Sequence, residues 1–151
     1  MSEPVIKDFE LPSTGDATFK SSEHRAHTVV ANFFPTDTTP GCTTEGQEFR
    51  DLYPDFGKAN TLVVGVSRDS IKSHEGFKAA HGFPFELLSD GDETVCELFG
   101  VMKLKNMYGK KVRGVERSTF VFDANGKIVK SWRGLKAPGH AAEVLAFVQT
   151  L

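Results

Sequence analysis

The stretch "FFPTDTTPGCTTEGQEFRD", residues 33–51, leads from an apolar run into a predicted helix, with a cysteine at the junction. Before it, "TVVANFF" (residues 28–34) is a short β-branched and aromatic run, typical of a strand buried on both faces. A matching run, "TLVVGVS", occupies residues 61–67, and residues 43–56 between the two runs show helical spacing. Because a strand, a helix and a second strand in this order form a parallel crossover, the sequence predicts an α/β fold.

The predicted helix rests on its apolar pattern and on the glycine that follows it. Phe49, Leu52 and Phe56 recur at intervals of three and four residues, which places them on one face. Gly57 suits the position just after a helix end, where a left-handed backbone is common. We therefore expect the helix to end at Phe56.

The cysteine lies where this helix begins. Pro40 suits the first helical position and Thr39 is a good N-cap, so Cys42 falls in the first turn. Backbone N–H groups are free there, and the positive end of a helix favours a thiolate over a thiol. We expect Cys42 to be a nucleophile.

The remaining chain continues the alternation of strands and helices. Asn-Gly between two alternating apolar runs signals a β-hairpin, so the predicted sheet is mixed. The further predicted elements are a small N-terminal hairpin turning at Thr14-Gly15-Asp16, a helix over 70–82 ending at Gly82, a strand over 85–90, a short helix over 93–100, a hairpin of 117–123 and 127–132 turning at Ala124-Asn125-Gly126, and a last helix over 139–151 with Ala142, Val144, Leu145 and Val148 on its core face.

One segment does not fit the alternation. Residues 101–116, "VMKLKNMYGKKVRGVE", show no clear period, and we expect an extended loop there. Structureless loops of this length are uncommon in compact domains and are often functional.

Length, charge and the N-terminal sequence bound the class of protein. At 151 residues the chain fits one domain, residues 1–151, large enough to fold without disulfides or metals. A formal charge of −2 and a pI near 6.2 give no signature of nucleic-acid binding. The N-terminus lacks a signal-peptide pattern, and no apolar run approaches the ~20 residues that span a bilayer. We expect a soluble cytoplasmic protein.

The two cysteines, Cys42 and Cys96, match neither a CxxC motif nor zinc-ligand spacing. The five histidines show no metal-ligand pattern either, so we expect no metal and no cofactor. In a reducing compartment both cysteines are thiols at rest. A disulfide between them would be a transient, functional event.

One motif and several longer stretches resemble a known family. "PTDTTPGC", residues 35–42, has the pattern PxxxTxxC of the peroxiredoxin active site. The likeness extends through "GVSRDS", "FPFELLSD" and "MYGKKVRGVERSTFVFDANGKI", so nearly the whole chain resembles the bacterioferritin-comigratory, or Q-type, subfamily. The resemblance implies a thioredoxin-like fold and the reduction of hydrogen peroxide and small organic hydroperoxides.

The resemblance also implies roles for five residues. Cys42 would be the peroxidatic cysteine, which becomes a sulfenic acid, and Arg117, in "ERSTF", would lie beside it and hold thiolate and peroxide oxygens together. The Thr39 hydroxyl would accept the peroxide proton or donate to an oxygen. Backbone N–H groups near Gly41 and Cys42 would add hydrogen bonds. Pro35 would form an apolar wall that shields the sulfenic acid from over-oxidation.

Without the resemblance, these residues have ordinary interpretations. Thr39 is a helix N-cap, Arg117 is a charge at a strand edge, and Pro35 ends a strand. Cys96, in "ETVCELFGV", lies on or beside the apolar face of a short helix and is expected to be a packed core thiol.

The sequence departs from its relatives at the usual positions of a resolving cysteine. Q-type relatives carry it five residues after the peroxidatic cysteine or in the next helix, and these positions hold Gln47 and Lys78. We therefore hypothesise a one-cysteine mechanism, in which thioredoxin, glutaredoxin or a small-molecule thiol reduces the Cys42 sulfenic acid. The rival is a resolving role for Cys96 through a Cys42–Cys96 disulfide, which needs Cα atoms within about 7 Å.

Two other classes of function stay open at this point. A redox sensor would use the same Cys42 but pass its oxidation to a client protein. A thioredoxin-like binding domain would leave Cys42 unreactive. Because relatives in this subfamily are often monomeric, we expect a monomer. From its charge and from the lack of a long apolar run, we expect it to bind neither nucleic acid nor membrane.

Overall fold

The computed structural model describes residues 9–24, 28–35, 40–107, 109–123, 127–134 and 139–151. Within them the strands are β1 (Glu10–Ser13), β2 (Ala17–Lys20), β3 (Thr28–Phe33), β4 (Thr61–Ser67), β5 (Glu86–Ser89), β6 (Met102–Met107), β7 (Lys110–Val115), β8 (Ser118–Phe122) and β9 (Ile128–Arg133). The helices are α1 (Pro40–Lys58), α2 (Ile71–His81), α3 (Thr94–Leu98) and α4 (His140–Val148), and a 3-10 turn spans Ser21–His24. None of these helices is both long enough and apolar enough to cross a lipid bilayer.

Seven strands form a central sheet in the order β2-β1-β5-β4-β3-β8-β9. β3, β4 and β5 are parallel, with Val30 opposite Val63 and Val66 opposite Leu88. The outer strands pair antiparallel. The apolar β-branched runs occupy the centre because parallel strands are covered on both faces. The predicted mixed sheet, with its N-terminal hairpin of β1 and β2, is confirmed.

The two faces of this sheet carry separate hydrophobic cores. Successive residues of a strand point to opposite faces, and β3 follows this rule. Val30 packs with residues of α1, α2 and α4, whereas Val29 and Ala31 pack with residues of α3 and the N-terminal hairpin. Cys42 belongs to the first core and Cys96 to the second. Helices therefore flank both faces, and the sheet separates the two cysteines.

One helix end and one strand pairing predicted from turn chemistry are confirmed. α2 ends at His81, and Gly82 takes the left-handed conformation, with φ of 63°, and donates its N–H to the Lys78 carbonyl. β8 and β9 pair antiparallel as the predicted hairpin. Its turn at residues 124–126 lies outside the described residues.

The segment 101–116 is not the extended loop that we expected. It contains an antiparallel hairpin of β6 and β7, closed at its base by a 2.7 Å bond from the Glu116 N–H to the Val101 carbonyl. Val101 and Val115 are buried, whereas Leu104 is 71% exposed. Because the core contact is at the base, the strands lack the apolar alternation that signals a half-buried strand.

α1 is longer than predicted. It continues through Pro54 and Gly57 to Lys58, and Asn60 rather than Gly57 takes the left-handed conformation, with φ of 54°. The Asn60 N–H donates to the Gly57 carbonyl at 3.0 Å. Asparagine tolerates this conformation, so a helix end placed by the glycine alone comes too early.

The core face of α4 differs from the predicted one. Val144, Leu145 and Val148 are buried as expected, but Ala142 is exposed and the first residue, His140, is buried. A polar residue at a core position gives no apolar signal, so the sequence pattern does not reveal it.

We expect Gly46→Ala to lower the free energy of unfolding by about 1–3 kcal/mol, because an added methyl group overpacks the contact beside α1. A Cβ at Gly46 would lie 2.5 Å from Cζ of the buried Phe83 ring. The matched control is Gly57→Ala in the same helix, where a Cβ would meet no described atom within 4 Å. That change should stabilise by roughly 0.5–1 kcal/mol through helix propensity. Urea unfolding gives the free energy of unfolding of both variants. If both variants were more stable than the wild type, the overpacking of Phe83 by a Cβ at position 46 would be contradicted.

Candidate active site

Cys42 lies at the start of α1, shortly after the chain leaves the carboxyl end of β3. α1 begins at Pro40, so the thiol occupies the first turn, and Cys42 is 3% exposed. The N–H groups of this turn have no partner within the helix, which makes them available as donors. Pro35 follows β3 and is half-buried. Thr39 lies outside the described residues, so its roles as N-cap and as proton carrier stay predictions.

Arg117 reaches the thiol from the segment between β7 and β8. Its Nη2 donates to Cys42 Sγ at 3.2 Å, and its Nη1 donates to Glu45 Oε1 at 3.0 Å. The planar guanidinium therefore bridges two residues that are neighbours on one helix face. The structure thus brings together Cys42 and Arg117, which are distant in sequence.

A glycine lets the arginine approach the helix. A Cβ on Gly41 would lie 2.9 Å from Arg117 Nη2, closer than real Cβ contacts allow. A larger residue at position 41 would displace the guanidinium from Cys42 Sγ. Gly41 therefore contributes space, in addition to the backbone N–H that the resemblance implies.

Glu45 belongs to this site and is the residue that the sequence reasoning missed. Its side chain is 5% exposed, and burial raises the pKa of its carboxyl to about 7, although Arg117 acts in the opposite direction. A helix glutamate ordinarily faces solvent, so its charge alone gave no signal. The spacing does give a signal. Glu45 lies three residues after Cys42 and therefore shares the helix face of the thiol.

Two hydrogen-bond acceptors stabilise the charged guanidinium of Arg117, which is largely buried. The Arg117 side chain is 15% exposed, and burial by itself lowers the pKa of the guanidinium. Glu45 and Cys42 together raise it by more, so the net shift of this pKa is upward. Arg117 is therefore a permanent cation beside the thiol.

A second polar chain lies behind the site. Thr119 Oγ1 donates to Asn32 Oδ1 at 2.7 Å, and His140 Nε2 lies 2.9 Å from Thr119 Oγ1. Burial lowers the pKa of His140 to about 4, so its imidazole is neutral near pH 7. Trp132 packs edge-on against this ring, with centroids 5.3 Å apart. The chain ties β3, β8 and α4 together without adding charge.

A small cavity lies beside Cys42 and Glu45. Its volume is about 20 Å³, room for roughly one water molecule. Asn32 also lines it, and the other lining residues are apolar: Phe34, Gly46, Phe49, Gly65, Phe77, Phe83, Phe85 and Leu87. The apolar lining lowers the local dielectric and so strengthens the electrostatic interactions around the carboxylate.

Cys96 is a packed core thiol, as the apolar residues beside it in the sequence predict. It is fully buried, on the opposite side of the sheet from Cys42. The Asp90 carboxylate accepts the N–H groups of Val95 at 3.1 Å and Cys96 at 2.6 Å. Burial, and after it the nearby Asp90, raises the pKa of the Cys96 thiol strongly. Cys96 is therefore a weak nucleophile in the folded protein.

The described residues around Cys42 supply neither a second thiol nor a metal centre. At the two usual resolving positions, Gln47 Nε2 lies 3.4 Å from His81 Nδ1, and Lys78 Nζ donates to Glu86 Oε1 at 2.7 Å. These contacts fix α2 against α1 and β5. In the part of the chain that the structure describes, no three His, Cys, Asp or Glu side chains are grouped to hold a metal ion.

Comparisons with known proteins agree with this geometry. Residues 4–131 match the sequence profile of the AhpC/TSA family. Peroxiredoxin Bcp of Xanthomonas campestris is 51% identical over 139 residues, which cover 92% of this chain and 87% of that protein. The chain belongs to the AhpC/TSA, or peroxiredoxin, family. The expected activity class follows, and this peroxiredoxin is a peroxidase, an oxidoreductase that acts on peroxide.

Solved structures identify the branch of the family. Peroxiredoxin Q of X. campestris is 49% identical with a TM-score of 0.90, covering 94% of this chain and 90% of that chain. The bacterioferritin comigratory protein of X. campestris, in a structure described for its alkyl peroxide reduction activity, is 45% identical with a TM-score of 0.91, covering 98% of each chain. The resemblance to the Q-type subfamily and the thioredoxin-like fold that it implied are confirmed.

We expect Arg117→Lys to slow the oxidation of Cys42 by hydrogen peroxide about 10²–10³-fold, the loss typical of removing one charge-stabilising donor. Lysine keeps the positive charge but cannot donate to Cys42 Sγ and Glu45 Oε1 in one fixed plane. Stopped-flow single-turnover kinetics gives the rate, and urea unfolding gives the stability.

The matched control is Arg133→Lys, because Arg133 donates to the Phe99 carbonyl at 3.0 Å, away from the thiol. This control should oxidise at the wild-type rate. If Arg117→Lys loses stability but oxidises as fast as the control, Arg117 has no part in the chemistry.

Proposed function

We propose that this peroxiredoxin reduces hydrogen peroxide and small organic hydroperoxides through a sulfenic acid on Cys42. The observation that carries the proposal is the 3.2 Å bond from Arg117 Nη2 to Cys42 Sγ in the first turn of α1. The helix N-terminus and the guanidinium both favour a thiolate, which is the nucleophilic form of cysteine.

The first step is attack of the Cys42 thiolate on one peroxide oxygen. An S–O bond forms, the O–O bond breaks, and the peroxide proton moves to the leaving oxygen, giving a sulfenate and water or an alcohol. Sulfur loses two electrons and the peroxide gains them. Negative charge grows on the leaving oxygen, so the donors that count are those placed along the line of attack.

We assign roles in this step to four groups. Arg117 supplies a fixed positive charge to the thiolate and to the peroxide oxygens. The N–H groups near Gly41 and Cys42 supply further hydrogen bonds, and the Thr39 hydroxyl carries the proton. Pro35 offers an apolar surface without an N–H, which shields the sulfenic acid from a second peroxide. The alkyl peroxide reduction described for the X. campestris relative supports the inclusion of organic hydroperoxides.

The sulfenic acid is then reduced by a thiol from outside the chain. Thioredoxin, glutaredoxin or a small-molecule thiol forms a mixed disulfide with Cys42 and releases water, and a second thiol returns Cys42 to its reduced form. The position of Cys96 on the other side of the sheet supports this one-cysteine route. Both cysteines are free, which fits a reducing compartment such as the cytoplasm.

We expect Cys96→Ser to sustain peroxide turnover at close to the wild-type rate, because the reductant meets Cys42 directly. Peroxide consumption is followed separately with a thioredoxin system, a glutaredoxin system and dithiothreitol. Cys42→Ser is the inactive control. Arrest of Cys96→Ser after one turnover with every reductant would make Cys96 the resolving cysteine. Turnover by Cys42→Ser would overturn the proposed function itself.

A further inference from the structure

Arg117 is shared by two acidic groups in a buried space. Its Nη2 donates to Cys42 Sγ at 3.2 Å and its Nη1 donates to Glu45 Oε1 at 3.0 Å. The exposed fraction is 15% for the Arg117 side chain, 5% for that of Glu45 and 3% for Cys42. If both acids were ionised, one cation would face two anions away from water, an arrangement that is costly in desolvation.

The neighbouring groups do not supply a second cation. His140, on α4, is close enough to be influenced by the guanidinium, but burial lowers its pKa to about 4, so it is neutral near pH 7. Glu48, on α1 like Glu45, adds negative charge, as does Glu143 near His140. Among the described groups that act on Glu45, Arg117 is therefore the positive one.

The surroundings of Glu45 favour its neutral form. Its Oε2 is buried and has no hydrogen-bond partner among the described residues, whereas an ionised carboxylate offers about four lone-pair sites to donors. Glu45 also lines the apolar cavity beside the thiol. Burial accordingly raises the pKa of Glu45 to about 7, against the opposing effect of Arg117. When Glu45 is neutral, the charge of Arg117 is left to the thiolate.

We propose that Cys42 and Glu45 exchange one proton across Arg117, so that the reactive thiolate forms as Glu45 becomes a neutral carboxylic acid. In this exchange the S–H bond of Cys42 breaks and an O–H bond forms on the Glu45 carboxylate, and no electrons are transferred. The proposal rests on the proposed function, since it describes the resting state of the same thiol. Glu45 is a positioning residue here, because it acts on sulfur through Arg117.

Coupling of this kind changes the shape of a titration. Two acids that interact strongly lose their protons in two macroscopic steps that belong to the pair. We therefore expect the rate of Cys42 alkylation by iodoacetamide to rise in two steps with pH. All proteins in this assay also carry Cys96→Ser, so that Cys42 is the cysteine whose alkylation is measured.

Glu45→Gln is the decisive variant, because glutamine resembles the neutral acid and cannot ionise. Its alkylation profile should have a single step, which lies about one to two units below the upper step of the wild type, the size expected for removing one nearby negative charge. Circular dichroism establishes that the variant is folded.

Glu48→Gln is the matched control. It removes one negative charge from the same helix, but the Glu48 carboxylate accepts from the Gly139 N–H at 2.9 Å rather than from Arg117. The more exposed charge is screened by solvent, so its profile should keep two steps and move by less than about half a unit.

The reciprocal experiment uses Cys42→Ser, since a coupling between two sites acts equally in both directions. Without the competing thiolate, Arg117 pairs with Glu45 alone. The carboxyl ¹³C signal of Glu45, assigned by its loss in Glu45→Gln, should titrate at lower pH in Cys42→Ser than in the wild type.

Coincident alkylation profiles for wild type and Glu45→Gln would overturn the proposal, and so would an unchanged Glu45 titration in Cys42→Ser. The alkylation assay uses no peroxide, so it is independent of the proposed function. A thiol that titrates as expected but resists peroxide would sink the proposed function and leave the proton exchange standing. A thiol that peroxide oxidises, with coincident profiles, would sink the proton exchange alone.

Discussion

The bond from Arg117 to the Cys42 thiol is the interaction on which the rest of the site depends. It requires a helix turn that places Cys42 and Glu45 on one face, and a glycine at position 41 that leaves room for the guanidinium. A buried cation needs buried acceptors, and this turn of α1 supplies two. The pairing that holds the arginine in place is therefore the same pairing that sets the charge at sulfur.

The central sheet decides what can follow oxidation. Cys42 packs on the face covered by α1, α2 and α4, whereas Cys96 belongs to α3 and packs on the other face. A disulfide needs Cα atoms within about 7 Å, so joining these cysteines would require breaking core packing between them. That cost competes with a total folding stability of only about 5–15 kcal/mol. A thiol from outside the chain meets no such barrier.

Local patterns in the sequence predict most of the fold and part of the active site. The strand over 61–67 and the position of Cys42 in a first helical turn follow from apolar runs and from a proline, which act within a few residues. The hairpin of β6 and β7 could not be predicted, because strands in which Leu104 is exposed show no alternation. Glu45 and the separation of Cys96 from Cys42 depend on burial and on sheet faces, which appear only once distant segments pair.

The most direct test of the proposed mechanism is the intact mass of the protein after one equivalent of hydrogen peroxide, with and without a sulfenic-acid trap, followed by peptide mapping. A one-cysteine mechanism predicts one added oxygen, or one trap molecule, on Cys42, with Cys96 still a free thiol. A loss of two hydrogens with a Cys42–Cys96 linked peptide would contradict the separation of the cysteines by the sheet. No change at either cysteine would contradict the assignment of Cys42 as the peroxide-reactive thiol.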